Sequence, residues 1–325
     1  MTTEFGSGLS KDTSTRKAVK KASEKALNSI ESEKADFAVV FCSPEYELEE
    51  LVETVKEETG VEKLTGATTA GEFTENGLEE GSVVISVIKS DDMKFYTGMG
   101  HNISDNAEKA AREAAESLPK KVDGYPHMAG INLHDTLSGF GETVSQFAYL
   151  ETGISMSGGA AGDNWKFQET WVFTEDEIDS DAIALTAIAS KKPFSFSVGH
   201  GHEPISPELE VTEASGSTVY ELNGRPALEV WAEYVADERE ESPEEILEDE
   251  KLLKNLLIQH ELGVDIGGMY KVRTGALTAA VHGTEGPMEF SVQIADGTKL
   301  RVMTTSKEKE IESPRNVARQ AAENM

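Results

Sequence analysis

The segment Leu64-Thr65-Gly66-Ala67-Thr68-Thr69-Ala70-Gly71-Glu72-Phe73 returns later in the chain as Ser155-Met156-Ser157-Gly158-Gly159-Ala160-Ala161-Gly162-Asp163-Asn164, with Ala70-Gly71-Glu72 falling on Ala161-Gly162-Asp163. A second echo sets Phe95-Tyr96-Thr97-Gly98-Met99-Gly100-His101 against Phe196-Ser197-Val198-Gly199-His200-Gly201-His202. Each half therefore reads as a tight small-residue turn ending in a carboxylate, followed by Gly-x-Gly-His. The spacing is that of a duplicated domain-sized unit and is too long for a solenoid repeat. A duplicated unit places a shared cleft between its halves.

The same order of elements surrounds both turns. In the first half a small-faced helix from Asp12 to Ser32 leads to the apolar run Asp36–Cys42, read as a buried strand. Ser43-Pro44-Glu45 has helix-start chemistry, and Leu48, Leu51, Val52 and Val55 recur at helical spacing up to Gly60. Strands follow at 82–88 and 94–98. The second half repeats helix 106–117, strand 128–133, helix 139–149, the turn 157–163, and strands 170–173, 182–189 and 194–199. This order predicts an α/β (α+β) fold: an internally duplicated mixed β-sheet domain flanked by helices. Residues 1–10, small and polar, read as a disordered N-terminus. The first domain is expected over 11–225, with repeats near 35–104 and 125–205. A smaller antiparallel α+β domain is expected over 226–325, with strands at Tyr270–Val281, Met288–Ile294 and Leu300–Thr304, a hairpin turn at Asp296-Gly297, and a last helix opening at Ser313-Pro314 and running to Met325.

Sixty acidic residues against 30 basic ones give a formal charge of −30. Such a surface repels nucleic acid and anionic membrane, so neither is an expected partner. A dispersed carboxylate excess suits concentrated salt, which screens its self-repulsion, and points to a halophilic, archaeal source. A lone cysteine, Cys42, excludes an intrachain disulfide. With no membrane-length apolar run and no secretory core at the N-terminus, the protein is expected to be soluble and cytoplasmic.

Three phrases together resemble the FIST sensory family: Gly66-Ala67-Thr68-Thr69-Ala70-Gly71-Glu72, Ser157-Gly158-Gly159-Ala160-Ala161-Gly162-Asp163, and Val211-Thr212 followed by Tyr220-Glu221-Leu222-Asn223-Gly224-Arg225-Pro226-Ala227. The resemblance covers roughly residues 35–230, the family's N-terminal domain. The remainder looks like the start of its C-terminal domain, without the Cys-x-x-Arg-like segment and second Gly-Glu phrase that close it. The resemblance implies a non-enzymatic module that senses a small ligand, with amino acids or related metabolites as the class, and passes its signal to a separate output protein. Some proteins of this architecture are haem-based nitric-oxide sensors.

For the site itself, Gly66, Gly71, Gly158, Gly159, Ala160 and Gly162 allow close backbone approach, and exposed amides at such turns can cradle a carboxylate. Thr68 and Thr69 add hydroxyls, Glu72 and Asp163 can grip an ammonium, Asp135 follows a strand into the cleft, and Arg225 offers a bidentate fork to a carboxylate. The competing reading makes Glu72 and Asp163 caps of backbone amides, and pairs Arg225 with Glu221 or Asp163. No metal site is expected. The alternatives are haem held by His101 or His202, and a hydrolase built on Cys42 or on His134, Asp135 and Ser138. Trp165 is the aromatic candidate for a cleft wall. Because Thr68-Thr69 in one copy faces Gly159-Ala160 in the other, the expected cleft is lopsided, hydroxyls on one side and bare backbone on the other.

Overall fold

Thr3–Ser10 is a strand, β1, and not a disordered tail. Its glycines have a packing reason: a Cβ on Gly6 or Gly8 would stand 2.0 Å from the carbonyl oxygens of Ala26 and Ala22 on the helix α1 (Thr15–Leu27). Only glycine lets that helix lie so close to the sheet. The computed structural model in which this is seen describes residues 3–273, 286–290 and 292–324. The chain divides into two compact units, Met1–Phe194 and Ser195–Met325.

The first unit holds both copies. Copy one continues with β2 (Phe37–Cys42), α2 (Leu48–Thr59), β3 (Leu64–Thr68), the hairpin β4 (Glu72–Thr74) and β5 (Gly77–Glu79), and β6 (Val83–Ser90). Copy two is β7 (Met93–His101), α3 (Ile103–Glu116), β8 (His127–His134), α4 (Gly141–Thr152), β9 (Met156–Ala160), the hairpin β10 (Val172–Thr174) and β11 (Ile178–Asp179), and β12 (Ala182–Ser190). Each copy makes the same sheet. The orders β1-β6-β2-β3 and β7-β12-β8-β9 match strand for strand, with the β2/β3 and β8/β9 pairs parallel around a crossover helix. Such a crossover is what a parallel pair requires.

The two sheets meet by the faces their helices do not cover. Phe37 of β2 stacks on Phe95 of β7, with ring centroids 4.6 Å apart, and Ala67, Met99, Leu133, Val172 and Ala184 cluster together. On the outer face of the first sheet, Ala18, Val19, Ala22, Leu51 and Val55 of α1 and α2 pack on Val40, Leu64 and Ile85. On that of the second, Ala110, Ala111, Ala114, Val144 and Ala148 pack on Ile183 and Leu185. The result is four layers, helix–sheet–sheet–helix, with the duplicated mixed-sheet domain flanked by helices as expected.

Two stretches read as glycine turns are strands, β3 and β9. The expected strand at 194–199 is absent, and residues 196–202 belong to the second unit. The strand that occupies the place of β7 in the other copy is β1. The Gly-x-Gly of Gly98 and Gly100, pressed on the carbonyls of Ala114 and Ala110, therefore has its counterpart in β1, where strand register sets Gly8 on Gly98 and where Gly6 and Gly8 are likewise pressed on helix carbonyls, and not in Gly199 and Gly201.

The second unit comprises β13 (Glu203–Pro204), β14 (Leu209–Ser215), β15 (Thr218–Leu222), β16 (Arg225–Pro226), α5 (Ala227–Arg239), α6 (Pro243–Glu248), α7 (Glu250–Gln259), β17 (Leu262–Asp265), β18 (Tyr270–Arg273), β19 (Met288–Glu289), β20 (Lys299–Thr304) and α8 (Lys307–Glu323). Its antiparallel sheet packs on α5 and α7 around the fully buried Trp231, whose Nε1 donates to the carbonyl of His260 at 2.7 Å. Asn223-Gly224, both at positive φ, turn β15 into β16. Asp296-Gly297 turn without making a hairpin, since β19 pairs with β15 and β20 with β14 and β17. The last helix starts at Ser306, whose hydroxyl accepts from the Lys309 amide, and takes Pro314 into its interior. Most of the strand expected to run from Tyr270 to Val281 lies outside the described residues.

Candidate functional site

Between the two sheets of the first unit lies a cleft of about 550 Å³. One wall is Val39, Phe41, Val84 and Ser86 with Ala67, Thr69, Gly71, Glu72 and Phe73; the other is Ile131 and Leu133 with Ser157, Gly158, Gly159 and Ala160. Among the described residues no lysine, arginine or histidine lines it. An apolar hollow with few polar groups is the usual form of a small-molecule site.

The cleft exists because the two copies differ at one edge. In the first sheet, β10 of copy two pairs antiparallel with β3, in the register Val172–Ala67, Phe173–Gly66, Thr174–Thr65. This covers β3, all of whose residues are buried. β9, the counterpart of β3, pairs only with β8 among the described residues, and Ser157 to Ala160 are exposed. The Gly130 amide donates to the Ser155 carbonyl and the Ala161 amide to the His134 carbonyl, so the ladder to β8 runs through the odd-numbered residues. The alternate backbone groups of Met156, Gly158 and Ala160 are turned to the open side, as along any edge strand.

Strand pairing also fixes the equivalence of the copies. Val40 opposes Gly66 and Asn132 opposes Gly158. A Cβ on Gly66 would stand 2.4 Å from the Val40 carbonyl oxygen, and one on Gly158 would stand 1.7 Å from that of Asn132. These two glycines are the true repeat, one residue out of the step by which the sequence matches Ala70 with Ala161. Thr68-Thr69 thus stand where Ala160-Ala161 stand.

Thr69, Gly71, Glu72, Gly158, Gly159 and Ala160 come together at the cleft; Gly66, Thr68, Asp135, Gly162 and Asp163 are not among its lining residues, and Arg225 is in the other unit. The carboxylates are already engaged. Glu72 accepts from the Thr69 hydroxyl at 2.6 Å, and from the Ser82 amide and hydroxyl at 3.0 and 2.7 Å. Asp163 accepts the amides of Lys166, Phe167, Gln168 and Glu169. Burial would raise its pKa, but these four bonds together hold it below the usual carboxylate range. Asp135 takes the amides of Leu137, Ser138 and Asp181. The Thr68 hydroxyl accepts from the Trp171 amide, and Gly66 lies under the Phe173 ring. Arg225 forks onto Glu233 at 2.9 and 2.6 Å, not onto Glu221 or Asp163.

Among the described residues the groups named for the alternative chemistries are not assembled. His134, Asp135 and Ser138 are neighbours without a relay: among the described residues no hydrogen bond joins Ser138 to His134, and the Ser138 hydroxyl donates to the Asp135 carbonyl. Cys42 is fully buried, and burial pushes its thiol far up, away from a nucleophilic thiolate. His101 is held by Asp179 at 2.8 Å and Glu177 at 3.1 Å, while His202, in the other unit, sits near Glu261 and Glu310 at 3.3 and 3.4 Å. The two histidines do not occupy equivalent places. Trp165 stands on an exposed loop against Phe167 and does not line the cleft.

Sequence reasoning missed Phe73 and the hairpins. The signal was present: Phe73-Thr74-Glu75 recurs as Phe173-Thr174-Glu175, each the first arm of a hairpin in which Phe73 faces Leu78 and Phe173 faces Ile178. The two outcomes are opposite. Phe173 is fully buried, whereas Phe73 is 75% and Leu78 66% exposed.

A duplicated four-layer α+β unit with an open, largely apolar cleft between its sheets has the form of a small-molecule site. The chain belongs to the FIST family, whose N-terminal domain model (FIST N domain) matches residues 36–225, a span that crosses the boundary between the units. FIST domains are sensory, small-ligand-binding domains of signal transduction. The chain is similar to an uncharacterized protein of Methanocaldococcus jannaschii, with 26% identity over 284 residues. That match covers 82% of this chain and 53% of the relative, so the chain spans about half the length of the curated relative it matches. Among the described residues no helix is long and apolar enough to cross a membrane.

Proposed function

We propose that this protein is a non-enzymatic sensor that binds an amino acid, or a metabolite of amino-acid type, in the cleft between the two sheets. The observation that carries this reading is the unpaired edge of β9 facing an apolar hollow. Backbone amides of Gly158 and Ala160 suit a carboxylate, their carbonyls suit an ammonium, and Phe41, Val84, Ile131 and Leu133 suit an apolar side chain. Thr69, Gly71, Glu72, Gly158, Gly159 and Ala160 form the binding set, with Glu72 shaping the turn that carries Thr69. The output is a separate signalling protein. The charge of −30 argues against nucleic acid and anionic membrane as partners, and fits a soluble, cytoplasmic protein of a halophile.

The experiment is a thermal-shift screen of the common amino acids and their simple derivatives, run in concentrated salt. A ligand at about 100 times its Kd stabilises by roughly 2.7 kcal/mol. The expected result is stabilisation by a subset of apolar amino acids, lost in Gly159→Val, which fills the cleft. Absence of stabilisation across the panel overturns the amino-acid reading.

A further inference from the structure

Hairpin β10–β11 shows what a docked hairpin looks like in this fold. Phe173 lies on Gly66, and Glu175 lies buried beyond it, bonded to Lys63, to the Leu64 amide at 3.2 Å and to the Thr97 hydroxyl at 2.7 Å. The hairpin β4–β5 has the same parts. Phe73 matches Phe173, and Glu75 matches Glu175. Ser7, which matches Thr97 in sheet register, already donates to Glu75 at 2.9 Å. Gly158 on β9 matches Gly66. The hairpin is flanked by Gly71 and Gly81, both at positive φ, which suits a segment that swings.

One part is missing. Lys63 precedes β3, and its carbonyl accepts from Ala38; the matching carbonyl on the other side, accepting from Gly130, belongs to Ser155. Copy one therefore has the glutamate of the latch, but among the described residues no cation stands on the opposing edge, and its hairpin does not pair with β9.

We propose that the β4–β5 hairpin is the closing wall of the cleft. It closes by pairing with β9 in the register Phe73–Gly158 and Thr74–Ser157, and a cationic group placed where Lys63 stands in the twin completes the latch through Glu75. In the sensor this cation is the ammonium of the ligand, which gives up the Gly158 and Ala160 backbone groups of the open cleft to the hairpin as it closes, so the site selects molecules that carry one. This extension rests on the small-ligand reading above. The closure itself does not: it follows from the docked twin.

The test is a cross-link in the full chain. In the twin, Thr65 and Thr174 form a non-hydrogen-bonded pair, since the Thr68 amide donates to the Trp171 carbonyl. Such pairs bring Cα atoms to about 4.5 Å, within disulfide reach. Thr74→Cys with Ser157→Cys, oxidised by copper–phenanthroline and mapped by mass spectrometry, is expected to cross-link at least about tenfold faster than Thr74→Cys with Gly159→Cys, one diagonal step away. The buried Cys42 stays reduced. Adding Ser155→Lys, which supplies a tethered ammonium, is expected to accelerate the in-register cross-link by a further factor of about ten, and Glu75→Gln to cancel that gain. Equal rates in the two registers overturn the closure. An in-register cross-link indifferent to Ser155→Lys overturns the cationic latch. Neither result depends on the thermal-shift screen, so a cross-link that forms while no amino acid stabilises the protein refutes the ligand reading alone.

Discussion

Phe173 lies on Gly66 so closely that a Cβ on the glycine would stand 2.2 Å from the ring. This contact joins the copies, since Phe173 comes from copy two and Gly66 from copy one. Phe173→Ala is expected to cost about 3–5 kcal/mol, the range for a large aromatic removed from a core. Phe73→Ala, at the matching but exposed place, is expected to stay within about 0.5 kcal/mol. Denaturant unfolding in concentrated salt measures both.

Adjacent glycines of β9 separate strain from space. Gly158→Ala drives a Cβ into the Asn132 carbonyl, backbone that cannot step aside, and is expected to destabilise by roughly 2 kcal/mol or more. At Gly159 nothing lies within 4 Å of the added Cβ, so Gly159→Ala is expected to be silent in the same melts.

Glu175 is buried and serves three donors from copy one and the start of copy two. Glu175→Ala leaves a backbone amide and a lysine without their acceptor. A loss of about 2–4 kcal/mol is expected, below the cost of a fully buried pair because Lys63 retains access to water. Restoring stability in the double variant Glu175→Ala, Lys63→Met would show that the orphaned charge carries much of that loss.

His101 gives the fold a pH signature. Burial opposes its charge, but the hydrogen bonds that its ring donates to Asp179 and Glu177, with the charges of those carboxylates, outweigh burial and raise its pKa above 6.5. A group whose folded pKa is raised stabilises fully below its unfolded value, and that stability fades as pH climbs through the folded value. Unfolding free energy is therefore expected to fall as pH rises above 6.5, and His101→Gln to flatten that slope.

The elements written in apolar periodicity were legible. β2, α2, β6, α3, β8, α4 and β12 lie where their patterns place them, because Val, Ile, Leu and Ala there face a core. β1, β3 and β9 were not, because their glycines serve contacts that sequence propensity scores as turns: Gly6 and Gly8 under a helix, Gly66 and Gly158 beside a neighbouring carbonyl. The duplication was visible, yet its register was not. Ala70-Gly71 and Ala161-Gly162 align by composition, while the strands align by the glycine that backbone crowding demands. The cleft lies beside the two segments that the repeat singles out, but its cause was invisible. Sequence shows two copies of Phe-Thr-Glu and says nothing of which sheet each hairpin joins.

The exchange of β10–β11 onto the sheet of copy one has a consequence for synthesis. When a ribosome has released only the first 90 residues, β3 has an open edge and Lys63 no carboxylate, because both are supplied by residues 172–175, about 80 residues later. At about 5–20 residues per second that edge waits for several seconds. Copy one is thus a template that its sister completes, and a chain cut between Ser90 and Met93 is expected to yield two fragments, each misfolding alone and refolding when mixed.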